Sequence, residues 1–210
     1  MSLIYFDKNH EYGTSVIWKL EKENTFLSDD LEYNVPSGIL KGSLRELEWI
    51  ASRYLAYKVD QIIPNLIEKD EYGKPFVRNS PNQISISHSR NYAFYGSSTS
   101  HIGIDIQVVN DKIERLTHKF TSKQELRKFP GTLNLSEKLH YIWTIKEAVF
   151  KLYGKKELPF KEGILISDCK ITNNELSTIG SIIKQNERYE FKALSKVKPS
   201  IYFTSAHFTK

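Results

Sequence analysis

The chain has 210 residues, 40% of them hydrophobic and 26% charged, the balance of a folded globular protein and not of a disordered one. Against 25 Asp and Glu stand 30 Lys and Arg, and the formal charge of +5 favours an anionic ligand or an acidic partner. Scattered basic residues argue against nucleic acid, no run approaches the roughly 18 apolar residues of a membrane span, and a single cysteine, Cys169, allows neither an internal disulfide nor a cysteine zinc site.

The first residues lack the pattern of a secretory signal, so the expectation is a cytoplasmic protein with Cys169 as a buried small hydrophobe. Strand signals occupy residues 3–6 and 15–20, followed by a helix over residues 44–57, where Leu44, Leu47, Ile50, Ala51, Tyr54 and Leu55 recur at helical spacing. Residues 71–75, Glu-Tyr-Gly-Lys-Pro, read as a turn. Three alternating segments at 83–88, 92–98 and 102–108 suggest a β-meander, in which the first and third strands run the same way and bring His88 and Asp105 to one sheet edge. Helices are expected over 111–117 and 123–129, the second opened by a capping box from Ser122 and Glu125. A longer one spans 136–153, with Leu139, Ile142, Trp143, Phe150 and Tyr153 near one face and Gly154 to end it. The remainder, notably 188–194 and 201–207, alternates as strands do.

Three segments carry candidate chemistry. In Ile102-Gly103-Ile104-Asp105-Ile106-Gln107-Val108 the alternation sets the aliphatic residues on a core face and Gly103, Asp105 and Gln107 on the other. Gly103 there signals close approach by a ligand or another backbone, and an Asp between two isoleucines is unusual in a strand. Glu147 and Lys151 share a helical face. Alone, Asp105 reads equally as a solvated strand acid, and Glu147 with Lys151 reads first as a plain surface ion pair, but two carboxylates from separate elements beside a lysine suit a hard cation such as Mg²⁺ on a phosphate. Ile84-Ser85-Ile86-Ser87-His88-Ser89 ends a strand in groups able to hydrogen-bond phosphate.

In order, Gly73-Lys74-Pro75, Ser87-His88-Ser89, Ile102 to Ile106 with Asp105, and Trp143-Thr144-Ile145-Lys146-Glu147-Ala148 followed by Lys151 resemble the 4′-phosphopantetheinyl transferase superfamily, in particular its larger type, named for the surfactin synthetase activator. The resemblance implies an α+β fold: a pseudo-dimer of two similar lobes with antiparallel sheets, here 1–98 and 99–210, and a coenzyme A site in the cleft between them. It implies a monomer that transfers the 4′-phosphopantetheine arm of coenzyme A to a serine of an apo acyl or peptidyl carrier protein, releasing adenosine 3′,5′-bisphosphate. Asp105 and Glu147 match the family's metal ligands for Mg²⁺, with Mn²⁺ as a substitute. Gln107 stands where many members have glutamate, contributing an amide oxygen and no charge. Lys151 would contact the diphosphate and protonate the leaving group, Lys74 and His88 would hold the 3′-phosphate with Ser87 nearby, and Glu147 would take the serine proton. Residues 108–135, including Lys112, Arg115, Lys119 and Phe120, would help to dock the carrier. The alternatives are a non-catalytic coenzyme A or carrier-binding protein of the same fold, and a basic nucleic-acid-binding domain.

Overall fold

A computed structural model describes residues 2–9, 13–21 and 31–209. The chain divides into two compact units, Met1–Ser100 and His101–Lys210.

In the first unit, strands β1 (Ser2–Asn9), β2 (Gly13–Lys19), β5 (Gln83–Ser89) and β6 (Tyr92–Ser98) form an antiparallel sheet in the order β1-β2-β6-β5. The short strands β3 (Ile67–Lys69) and β4 (Pro75–Val77) pair separately. Their turn closes because the Asp70 carboxylate accepts the backbone N–H groups of Tyr72 and Lys74, while Gly73 takes a φ of +91° that a side chain would resist. Helix α1 (Leu44–Asp60) begins where the Ser43 hydroxyl accepts the Glu46 N–H and stops at Gln61, which turns left-handed at φ 58°. Its Ala51, Leu55 and Ala56 pack with Val16, Ile84, Ala93 and Tyr95 into the core of this unit.

The second unit is a five-stranded antiparallel sheet of β7 (Gly103–Val108), β8 (Ile164–Thr172), β9 (Glu175–Lys184), β10 (Glu187–Lys198) and β11 (Ile201–Phe208), in the order β7-β11-β10-β9-β8. Helix α4 (Leu135–Tyr153) packs on it, with α2 (Ile113–Phe120), α3 (Lys123–Leu126) and α5 (Phe160–Gly163) around its flank. A full capping box between Asn134 and Glu137 starts α4, and Gly154 ends it at φ 72°. The buried stripe of α4 is Leu139, Ile142, Ile145, Ala148, Val149 and Leu152; Trp143, Phe150 and Tyr153 lie at its margin, Trp143 meeting Phe120 and Phe160 with ring centroids 5.2 Å and 5.8 Å away. Cys169 is buried in this core, which pushes its thiol up to about 12.

The architecture is mixed α+β with antiparallel sheets, as expected. The meander is not. The segments at 83–88 and 92–98 form a hairpin, but both edges of β6 are taken, by β2 and β5, and β7 pairs with the C-terminal β11 in the other unit. The sheet-edge reason for expecting His88 beside Asp105 therefore falls away. Among the described residues no helix is long and apolar enough to cross a membrane.

Candidate active site

Both faces of β7 are buried, and helix α4 covers the face carrying Gly103 and Asp105, not the isoleucine face. A Cβ at Gly103 would stand 2.0 Å from the Ala148 carbonyl oxygen and 2.4 Å from the Leu152 nitrogen. The close approach that the strand glycine signals is thus that of another backbone. It opens no space for a ligand. Its consequence is positional: the absent side chain lets α4 lie against β7, and the turn of α4 pressed there carries Glu147 and Lys151.

Lys151 Nζ lies 2.8 Å from Asp105 Oδ1, an ion pair whose carboxylate side is largely buried. The Glu147 carboxylate makes no hydrogen bond or ion pair among the described residues. Burial first, and then the charge of Asp105, push its carboxyl up to about 7, with Lys151 pulling the other way. Asp105, Glu147 and Lys151 are therefore brought together. Gln107 stands on the same face, half-buried, its amide nitrogen donating to the Val108 carbonyl at 2.9 Å. That bond turns the amide donor to the strand and leaves its oxygen as a neutral acceptor.

This donor set fits a small divalent cation. Mg²⁺ is held by one or two carboxylates, keeps several waters and takes phosphate oxygens from substrate, and a carboxylate such as Glu147, whose charge burial and Asp105 both disfavour, gains from a cation. A cage made wholly of protein is not available, since no group of three His, Cys, Asp or Glu suitable for a metal occurs among the described residues.

Lys146, next to Glu147 in the sequence, points elsewhere. It is fully buried, its Nζ 2.9 Å from Glu125 Oε2 and 2.8 Å from the Phe160 carbonyl. Glu125 also accepts from the Thr121 hydroxyl at 2.7 Å and the Ile166 N–H at 3.0 Å. Ser122 caps α3 as expected, but the Glu125 side chain does not return to close the box, being committed to this network. Of the docking segment, Lys112, Arg115 and Lys119 are exposed, whereas Phe120 is buried and edge-on to Trp143, so it serves the core.

The other expected phosphate ligands lie in the first unit. A cavity of about 560 Å³ there is lined by His88, by Gly73 and Pro75 on either side of Lys74, and by Arg45, Trp49, Arg53 and Lys69. His88 Nδ1 is 3.2 Å from the Glu48 carboxylate, on the face of β5 that also carries Ile86; alternation sets Ser87 on the opposite face. Burial lowers the Lys74 ammonium, with Asp70 opposing. Arg53 was not anticipated. Its guanidinium is buried, sits 3.6 Å over the Trp49 ring, donates to the Trp49 carbonyl and the Ser52 hydroxyl, and keeps Nε without a hydrogen-bond partner. Burial alone lowers its pKa to about 10. The signal was present in Arg45, Trp49 and Arg53, spaced one helical turn apart along one face of α1.

A buried strand acid near a helix acid and a lysine, on an α+β scaffold, suits cation-assisted phosphate chemistry. Residues 101–204 match the family model of the 4′-phosphopantetheinyl transferase superfamily. The match spans the second unit from its first residue into β11. No curated protein matches the chain.

Proposed function

We propose that this protein transfers the 4′-phosphopantetheine arm of coenzyme A to a serine hydroxyl of an apo acyl or peptidyl carrier protein, releasing adenosine 3′,5′-bisphosphate, and that it does so as a member of the larger type of the superfamily. The observation that carries the reading is the meeting of Lys151, Asp105 and Glu147 on the α4 face of β7, inside the family-matched domain. The larger type adds a pseudo-dimer of two lobes, a cleft between them for coenzyme A, and a monomeric state; two units that each lay one long helix on an antiparallel sheet support it.

Asp105 and Glu147 would hold Mg²⁺, or Mn²⁺ in its place, with the Gln107 amide oxygen as a neutral third contact. Such a cation supplies neutralisation of charge on the diphosphate. Lys151 contacts that diphosphate and gives a proton to the departing bisphosphate. The carrier serine Oγ attacks the phosphorus bearing the pantetheine arm and the diphosphate P–O bond breaks. Glu147 receives the serine proton, directly or through water. In the first unit Lys74 and His88 hold the 3′-phosphate, joined by Arg45 and Arg53, whose charges face the cavity with no carboxylate on Arg53. Ser87, on the far face of β5, is not part of that cavity wall. The exposed Lys112, Arg115 and Lys119 meet an acidic carrier, an encounter that added salt weakens.

The test is an intact-mass assay with coenzyme A, Mg²⁺ and a panel of apo carriers: a carrier gains the mass of the pantetheine arm. If none does while coenzyme A still binds, the protein is a non-catalytic binder of the same fold, which the neutral Gln107 would then explain.

A further inference from the structure

Three buried hydroxyls cross from the sheet to α4 beside the carboxylates. Thr204 Oγ1 donates to Thr144 Oγ1 at 2.9 Å, Thr144 Oγ1 donates to the carbonyls of His140 and Tyr141 at 3.1 Å, and the Ser195 hydroxyl lies 2.8 Å from Thr204 Oγ1. Thr204 has one proton and gives it to Thr144, so Ser195 is the donor in the last pair. All three residues are fully buried, and every hydroxyl proton has an acceptor.

Their positions matter more than their number. Thr204 is the register partner of Asp105 across β11 and β7, so the two side chains stand side by side on the α4 face. Thr144 stands three residues before Glu147 on α4, along the same helical face. The Thr204–Thr144 bond therefore joins the strand neighbour of one carboxylate to the helix neighbour of the other. Gly103 sets how close α4 comes to the sheet; the apolar contacts around it resist sliding only weakly, because dispersion is not directional. A buried hydrogen bond with fixed donor and acceptor is directional.

We infer that Thr144 and Thr204 are positioning residues: their hydroxyl clip fixes α4 along β11 so that the Glu147 and Asp105 carboxylates are held at the spacing a divalent cation requires. The inference rests on the proposed metal role of Asp105 and Glu147. Outer residues that orient ligands typically account for about 10- to 100-fold in metal affinity, so loss of the clip should weaken Mn²⁺ binding about ten-fold.

The experiment titrates Mn²⁺ alone into the whole chain by calorimetry, for wild type, Thr144→Val, Thr204→Val and Thr144→Ser, with thermal unfolding of each metal-free protein. Valine keeps the shape and removes the hydroxyl; serine keeps the hydroxyl and removes the methyl. The clip predicts about ten-fold weaker Mn²⁺ binding for either valine variant that folds and wild-type affinity for Thr144→Ser, whatever the order of their melting temperatures. Two results overturn it: valine variants that bind as wild type does, or a serine variant as weak as valine, which would make the methyl packing responsible. A wild type that binds no Mn²⁺ overturns the metal reading itself, and the clip's role with it. Because the two valine changes approach one bond from helix and strand, misfolding of one leaves the other to decide.

Discussion

Among the described residues, each unit holds a charge at least half-buried that no ion pair neutralises, and the two charges are opposite. In the first unit it is Arg53 on α1, a buried guanidinium with carbonyl and hydroxyl acceptors but no carboxylate. In the second it is Glu147 on α4, whose neighbour Asp105 takes the lysine. Beside Glu147 the same helix shows what neutralisation looks like: Lys146 is buried more deeply than Glu147, yet it is fully paired with Glu125. Burying an unpaired charge is expensive, so Arg53 and Glu147 mark where the fold leaves room for an anion and for a cation, and Lys146 marks where it does not.

If that contrast is right, removing the uncompensated carboxylate should damage function far more than fold. Glu147→Ala is expected to lower carrier modification by about 10³-fold, the several kcal/mol a metal contributes to charge stabilisation, with thermal stability little changed. Asp105→Ala should lower transfer as much but also cost stability, because it leaves Lys151 without its carboxylate. Near-normal transfer by either variant in the intact-mass assay sinks the assignment.

The compensated pair should behave in the opposite way. Lys146→Met strands a buried Glu125 and should destabilise the protein by about 3–5 kcal/mol, and adding Glu125→Leu should recover most of it, since a well-packed apolar pair often replaces a buried ion pair without loss. Denaturant unfolding checks both. A single variant as stable as wild type would remove Lys146 from the structural side of the comparison.

Arg53→Met tests the uncompensated cation. An ionic hydrogen bond contributes about 1.5–3 kcal/mol, so the KM for coenzyme A should rise by roughly ten-fold or more while stability stays level or improves, because a desolvated charge has been removed. A lower melting temperature with unchanged KM would make Arg53 a structural partner of Trp49 only.

Strands and helices were legible wherever one face is buried, as in α4 and β11, because alternation and helical spacing report burial directly. Pairing was not: nothing in residues 102–108 says that both edges of β6 are occupied or that β7 waits for a strand near the C-terminus. For the same reason the Gly103 and Asp105 face was misread, since alternation separates two faces without saying which one a helix covers. The acidic pair was legible through motif order. Lys146 and Glu125, and Thr144 and Thr204, were not, because each pair becomes a unit only when distant elements close on each other. Arg53 sat at a visible spacing, but the absence of a counter-charge is a property of the folded cavity.

The smallest effect in this set is also the most specific to Glu147. Its carboxyl is raised in the folded protein to about 7 from an ordinary value of 4.5, so folding favours the protonated form. That contribution is fully present below about pH 4.5 and is lost as the pH rises through about 7. Relaxation around a partly exposed side chain should reduce it to about 1 kcal/mol. Glu147→Gln keeps the shape without the proton, so the variant should gain stability over the metal-free wild type across that window and hold a constant lead above it. Binding of a cation requires the carboxylate, so Mn²⁺ affinity in the wild type should rise with pH through about 7 and level off. Near pH 6 each ion bound should release close to one proton, measurable by calorimetry in buffers of different ionisation enthalpy. Parallel stability curves for wild type and Glu147→Gln would mean that the charge on Glu147 is already neutralised within the fold, and the opposition between the two units would reduce to Arg53 alone.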